Sequence, residues 1–266
     1  MSNRSTARLT LPNSSFLNEV YSAPKSLVQE WANQTGVQTH NSDSDLVKGF
    51  YEGGFKVWEA TRDLVKFVSE DQKYVGKFLA RNKELRILEL GCGAGLVTLA
   101  FLSRLLGDDN DFSSDYRVHL QDYNWNVLTT LTLLNFGFNL PKDYLTSLIR
   151  TKSLRFFHGD WRKFRHKKGS SQRQYDLILT SETIYDSQNF SILHDLLEKH
   201  LKLDGYILIA TKDTYFGLTG GLYAWLDHVT KQGVFREVEI KKTCLINVPR
   251  SILILSRSEN RANGVV

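Results

Sequence analysis

The sequence predicts an α/β fold in which seven strands, mostly parallel, alternate with helices and close on an antiparallel pair. Three observations carry that expectation. An apolar run ending at Leu90 passes through three spaced glycines into a long apolar helix. The segment YDLILT at 175–180 is continuously apolar between turn signals, as a central parallel strand buried on both faces must be. Finally, 235–240 and 251–255 are strand-like runs joined through a turn around Asn247, Val248 and Pro249.

The glycine turn organises the chain. Residues 88–96 read LELGCGAGL, with glycine at 91, 93 and 95, and Leu96, Val97, Leu99, Ala100, Leu102 and Leu105 mark the buried face of the following helix. Glycine lets the backbone turn sharply and approach a ligand, and the helix offers unpaired N–H groups at its start. A dinucleotide fingerprint needs its third glycine at position 96, where this chain has Leu96. The spacing E-x-G-x-G-x-G therefore points away from a pyrophosphate ligand. By itself it also fits an ordinary strand-to-helix turn.

A chain of 266 residues with 41% hydrophobic content can bury one sizeable core. We expect one domain over 46–266 behind a flexible leader at 1–45, which is rich in Ser, Asn, Thr and Gln and carries Pro12 and Pro24. Arg4 and Arg8 give that leader a faint likeness to a mitochondrial presequence. Cys92 and Cys244 have neither disulfide-framework nor zinc spacing, so a reducing compartment and no metal are expected. No apolar run reaches the roughly 18 residues of a membrane span, and a soluble, intracellular monomer is expected. The net charge of +5 suits an anionic partner, and a solvated basic surface equally well.

Taken in order, YEGGFKVWEA at 51–60 places two glycines ahead of a helix whose apolar face holds Val57, Ala60, Leu64 and Val68. Trp58 and Glu59 fall in its first turn. They serve either as core packing and a helix-dipole contact, or as part of a lid over a ligand. After a polar loop at 107–115, a strand at 116–120 ends in Gln121, Asp122, Tyr123 and Asn124. A carboxylate there suits a ribose hydroxyl pair, so Asp122 is the candidate ribose ligand, with capping of the helix near Trp125 as the alternative. Helices follow at 127–134 and 140–149, the second opening on Pro141.

The third strand, 154–158, leads into Gly159, Asp160 and Trp161. An acid beside an aromatic there suits adenine, the acid accepting from the exocyclic amine while the ring covers a base face. A basic run, RKFRHKK, opens at Arg162 and closes at Lys168; it reads as a solvated face or as a contact for RNA or an acidic segment. The central strand then delivers Ser181, Glu182, Thr183, Ile184 and Tyr185 to the sheet edge where ligands of open α/β folds bind. A helix at 192–201, a strand at 206–210 ending in KDTYFG (212–217) and a helix at 222–229 complete the pattern.

With these pieces placed, residues 48–256 resemble the eukaryotic histidine protein methyltransferases that modify a histidine of large-ribosomal-subunit protein three. The resemblance rests on YEGGFKVWEA, ELGCGAG at 89–95, QDYN at 121–124, GDW at 159–161, SETIY at 181–185 and KDTYFG. It implies a seven-strand class I fold, Rossmann-like with the last strand antiparallel, using S-adenosylmethionine as methyl donor. It further implies that Trp58, Glu59, Gly91, Asp122, Tyr123, Asn124, Asp160, Trp161 and Ser181 line the donor site. Val57, Ala60, Glu89, Gly93 and Gly159, their neighbours in the same motifs, complete that candidate set. Glu182 and Tyr185 then form an acid-x-x-aromatic signature on the acceptor side, in the cytoplasm and nucleus where a ribosomal protein would be met.

Methyl transfer from a sulfonium is an in-line displacement, and neutral imidazole is a competent nucleophile near neutral pH. The enzyme's task is positioning. Glu182 or Asp213 could hold the other ring N–H and stabilise developing charge, and Tyr185 could orient the ring. An enzyme acting on nucleic acid is disfavoured because N/D-P-P-Y/F/W is missing after the fourth strand. A non-catalytic adaptor would not need the acids at 89, 122 and 160.

Overall fold

The computed structural model describes residues 53–79, 84–106, 116–164 and 175–258. The leader at 1–45, the loop at 107–115 and positions 165–168 of the basic run lie outside them. Seven strands form one sheet: β1 (Leu85–Leu90), β2 (Tyr116–Asp122), β3 (Leu154–His158), β4 (Tyr175–Ser181), β5 (Leu201–Lys212), β6 (Phe235–Cys244) and β7 (Arg250–Arg257). Their order is β3-β2-β1-β4-β5-β7-β6, and β7 runs antiparallel to both β5 and β6. The predicted hairpin is therefore present, with its second strand inserted beside β5 and its first at the sheet edge.

Inward alternation on the strands supplies two cores. Ile87, Leu177, Leu179, Leu208 and Ile254 face helices α1 (Glu59–Glu70), α2 (Val75–Leu79) and α3 (Leu96–Leu106). On the other face Leu88, Leu90, Ile178, Ile207 and Leu253 pack with α7 (Phe190–His200) and α8 (Leu222–Gln232). β4, paired with β1 and β5, is buried over its first six residues, which explains its unbroken apolar run.

Between β2 and β3 the chain forms α4 (Trp125–Val127), a π-helical turn (Leu128–Thr132), α5 (Leu133–Asn139) and α6 (Lys142–Arg150). The pattern predicts helix here but not the π turn. β5 is also longer than its predicted core at 206–210, because Leu201 to Gly205 join it across a register shift opposite Tyr175 and Leu177. That early start ends α7 at His200. No helix among the described residues is long and apolar enough to cross a membrane.

Candidate active site

The switch in strand order between β1 and β4 leaves a crevice at the carboxyl ends of β1, β2 and β4, where the glycine turn, Asp122 and Ser181 meet. Gly91 and Gly95 show why the turn needs glycine. Their φ angles are +60° and +71°, and a Cβ would lie 2.8 Å from Thr183 Cγ2 at Gly91 and 2.7 Å from the Phe136 ring at Gly95. The π turn and α5 fasten the same loop from outside: Thr132 Oγ1 donates to Gly93 O at 2.6 Å and Asn135 Nδ2 to Ala94 O at 3.0 Å. From inside, Gly93 N donates to Asp122 Oδ2 at 2.9 Å. π turns recur at functional sites, and the last residue of this one is Thr132.

Asp122 also receives Asn124 N at 3.0 Å. An ionised carboxylate has about four acceptor positions, so bracing the loop is compatible with receiving a ribose hydroxyl pair. Gln121 joins three pieces: its Nε2 donates to Gly159 O at 2.8 Å, while its Oε1 accepts from Trp161 Nε1 at 2.8 Å and faces Gly91 N at 3.4 Å. Trp161 is thereby held in the crevice wall, where it also packs against the second core. Asp160 lies beside it, accepting from Arg162 N and Nη1, each at 2.8 Å.

The segment before α1 forms the opposite wall. Trp58 Nε1 donates to Gly53 O at 3.1 Å, and the ammonium groups of Lys56 and Lys212 lie 4.3 and 5.5 Å from its ring centroid. This strap is anchored to β4: Ala60 N donates to Glu182 Oε1 at 3.1 Å and Thr61 Oγ1 pairs with Ser181 Oγ at 2.9 Å.

These walls enclose a cavity of about 400 Å³, of the size that holds a small molecule. Val57, Trp58, Gly91, Gly93, Asp122, Tyr123, Asp160, Trp161, Ser181, Glu182 and Tyr185 line it, as do Gln121, Thr61 and Thr183. A second cavity of about 260 Å³ shares Trp58, Glu182 and Tyr185 with the first and adds Lys212, Thr214, Tyr215, Phe216, Leu218 and Val248. The three shared side chains mark the boundary between the cavities.

Glu182 occupies that boundary in a left-handed conformation, φ +55°, with its N–H donating to Ala210 O at 2.9 Å. Such a backbone is uncommon outside glycine and is held here by the neighbouring strand. Burial pushes the Glu182 carboxyl up, opposed by the Tyr215 hydroxyl, the Ala60 N–H and the Lys212 charge. Tyr215 OH donates to Oε2, and burial beside Glu182 raises the phenol's own pKa.

Several candidates lie outside both cavity linings. Asp213 accepts from Lys242 Nζ at 2.5 Å and Ser251 Oγ at 2.6 Å, so it braces loops at the β5 and β7 ends. Glu89 is buried beneath the turn, accepting from Thr98 N at 3.0 Å and Thr98 Oγ1 at 2.5 Å, and burial pushes its carboxyl up to about 7. Glu59 points outward to Lys212, 3.1 Å away, and Ala60 acts through its N–H. Asn124 and Gly159 contribute backbone: Asn124 N and Gly159 N donate to the side chain and carbonyl of Asp122 respectively. Gln121 and Tyr215 line the cavities and Thr132 braces the glycine turn, none of them expected from the sequence. Gln121 and Tyr215 stand inside the QDYN and KDTYFG motifs, whereas Thr132 carries no local signal.

Residues 46–217 match the protein family described as lysine methyltransferase. The chain belongs to that family. It is 34% identical over 244 residues to the rat protein named histidine protein methyltransferase 1 homolog, covering 85% of this chain and 63% of the relative. The Saccharomyces cerevisiae histidine protein methyltransferase 1 is 30% identical over 224 residues, covering 68% of this chain and 58% of the yeast protein. The chain thus spans about three-fifths of the length of these curated relatives. Among solved structures, the CurJ carbon methyltransferase superposes with a TM-score of 0.53 at 14% identity, covering 77% of this chain and 57% of that one. A Burkholderia thailandensis 1,6-didemethyltoxoflavin-N1-methyltransferase with bound S-adenosylhomocysteine has a TM-score of 0.50 at 12% identity, covering 90% and 92%. The fold is that of class I S-adenosylmethionine-dependent methyltransferases, and the Burkholderia enzyme holds S-adenosylhomocysteine, the demethylated form of that donor. The first cavity fits it: a glycine turn that a Cβ would obstruct, an acid at the end of β2 and an acid-aromatic pair after β3.

Proposed function

We propose that this chain is a protein-histidine N-methyltransferase acting on a ribosomal protein, large-subunit protein three, in the cytoplasm and nucleus. The observation that carries the reading is the pair of adjoining cavities meeting at Trp58, Glu182 and Tyr185. S-adenosylmethionine, when bound in the first, supplies a methyl group activated by its sulfonium. The second admits the acceptor side chain, and Glu182 accepts the N–H of the ring nitrogen that does not attack. That bond selects the tautomer and stabilises the positive charge gained by the ring. Tyr185 bounds the ring's position, and Trp58 excludes water from the junction.

The family description names lysine, whereas the rat and yeast relatives are named for histidine. A lysine ammonium, with pKa near 10.4, must lose a proton before it can attack. Neutral imidazole needs no such step, which favours histidine. Tritiated S-adenosylmethionine should label large-subunit protein three in salt-washed ribosomes or purified ribosomal proteins, insensitively to RNase. Mass mapping should place the methyl group on histidine. Label on lysine, or label lost with RNase, would overturn the reading.

A further inference from the structure

We propose that two tied turns at the rim of the acceptor cavity, residues 215–218 and 245–248, are the docking surface for an apolar segment of the substrate polypeptide beside the target residue. This rests on reading the site as a protein methyltransferase. Phe216 is 91% exposed, and Leu245 and Ile246 are each 75% exposed. Single exposed apolar residues are ordinary on a protein surface. Here, however, they are continuous with a cavity: Phe216, Leu218 and Val248 line it, and Val248 follows the Leu245-Ile246 tip on the same hairpin.

Both turns are shaped to present these side chains. Leu218 N donates to Tyr215 O at 3.3 Å around Gly217, φ +73°, which places Phe216 at the apex of a tight turn. In the hairpin, Asn247 takes φ +65° and Cys244 Sγ contacts Ile246 O at 3.2 Å. Asp213 locks one turn to the other: its N–H donates to Pro249 O at 2.8 Å, and its carboxylate receives Ser251 on β7 and Lys242 on β6. The Asp213 side chain is thus assigned to shaping this rim.

The cations bordering the rim are matched within the chain. Lys212 pairs with Glu59 at 3.1 Å, Lys242 with Asp213 at 2.5 Å and Arg250 with Asp63 at 2.7 Å. What the rim offers a partner is therefore apolar area more than net charge. A polypeptide whose target side chain enters the cavity must pass over this rim, so its apolar neighbours are the occupant to which the rim is suited. A few desolvated anchors carry most of the binding energy of an interface, while the surrounding contacts exclude water.

The test compares steady-state methylation by the parent and two variants, Leu245→Ser/Ile246→Ser and Phe216→Ser, using whichever polypeptide the parent labels. We expect the hairpin variant to raise KM for the polypeptide about tenfold with S-adenosylmethionine affinity unchanged, and Phe216→Ser to lower kcat/KM by a similar factor. Unchanged KM and kcat/KM in both variants overturn the proposal. It is also overturned if sedimentation shows a parent dimer that the variants dissociate while KM stays parental, because the occupant is then a second copy. A parent that labels lysine overturns the histidine reading alone, since the same comparison proceeds on that polypeptide. A parent that labels no polypeptide overturns both.

Discussion

In the proposed reaction, Glu182 is the residue on which the chemistry turns. One of its oxygens holds the strap through Ala60 N and the other holds Tyr215, so its orientation is set before any acceptor arrives. Replacing the carboxylate by an amide keeps the shape and removes the charge. Glu182→Gln should therefore retain S-adenosylmethionine affinity by calorimetry while slowing single-turnover methylation at saturating donor about a hundredfold. Equal rates would reduce Glu182 to an anchor of the strap. Tyr215→Phe isolates the supporting bond. The hydroxyl favours the ionised carboxylate, so its loss lets burial raise the Glu182 pKa further. Below that pKa the acid is protonated and no longer offers the negative charge that stabilises the ring; the acidic limb of the kcat profile should move to higher pH in Tyr215→Phe. A merely structural hydroxyl would lower the folded fraction and leave the limb in place.

Among the elements, the strap from Gly53 to α1 has the closest ties to both cavities. Trp58 lines both, while Ala60 and Thr61 fasten α1 to the end of β4. Gly54 packs against β2 and its following helix so closely that a Cβ would lie 3.0 Å from Val127 and 3.3 Å from Asp122 Oδ1. A donor in the first cavity would rest on both the strap and the glycine turn. Hydrogen exchange of residues 53–61 should slow when S-adenosylmethionine is added, while exchange in β7, which lines neither cavity, should be unaffected. Equal exchange in the strap would assign it to core packing alone.

On the scale of the whole molecule, the fold contains a proton-linked element. Burial pushes the Glu89 carboxyl up to about 7 from an ordinary 4.5, the charge of Asp122 adding to the effect and the Thr98 bonds opposing it. Folding therefore favours the protonated acid. Its contribution is fully present below about pH 4.5 and is lost as pH rises through about 7. Urea melts of Glu89→Gln between pH 5 and pH 8 should show a flatter dependence of stability on pH than the parent. A parallel dependence would mean that Glu89 is ionised throughout.

Local chemistry made much of this protein legible in its sequence. The seven strands, the need for glycine at 91, 93 and 95, and the placing of Asp122, Asp160 and Glu182 at strand ends all follow from periodicity and turn requirements, which act within a few residues. The closing hairpin was legible as a pair, but its insertion beside β5 depends on which edge remains open once the parallel strands are stacked. Tertiary packing also decided the partners of each acid. Glu89 and Asp122 both stand at strand ends near the glycine turn, yet one is sealed beneath it against Thr98 and the other lines the cavity. Asp213 and Tyr215 are two residues apart, and the antiparallel placing of β7 draws the first away to Ser251 while the second reaches Glu182. Hydrogen bonds between residues 33 and 122 positions apart leave no mark in local periodicity, because they depend on where the sheet brings the chain back.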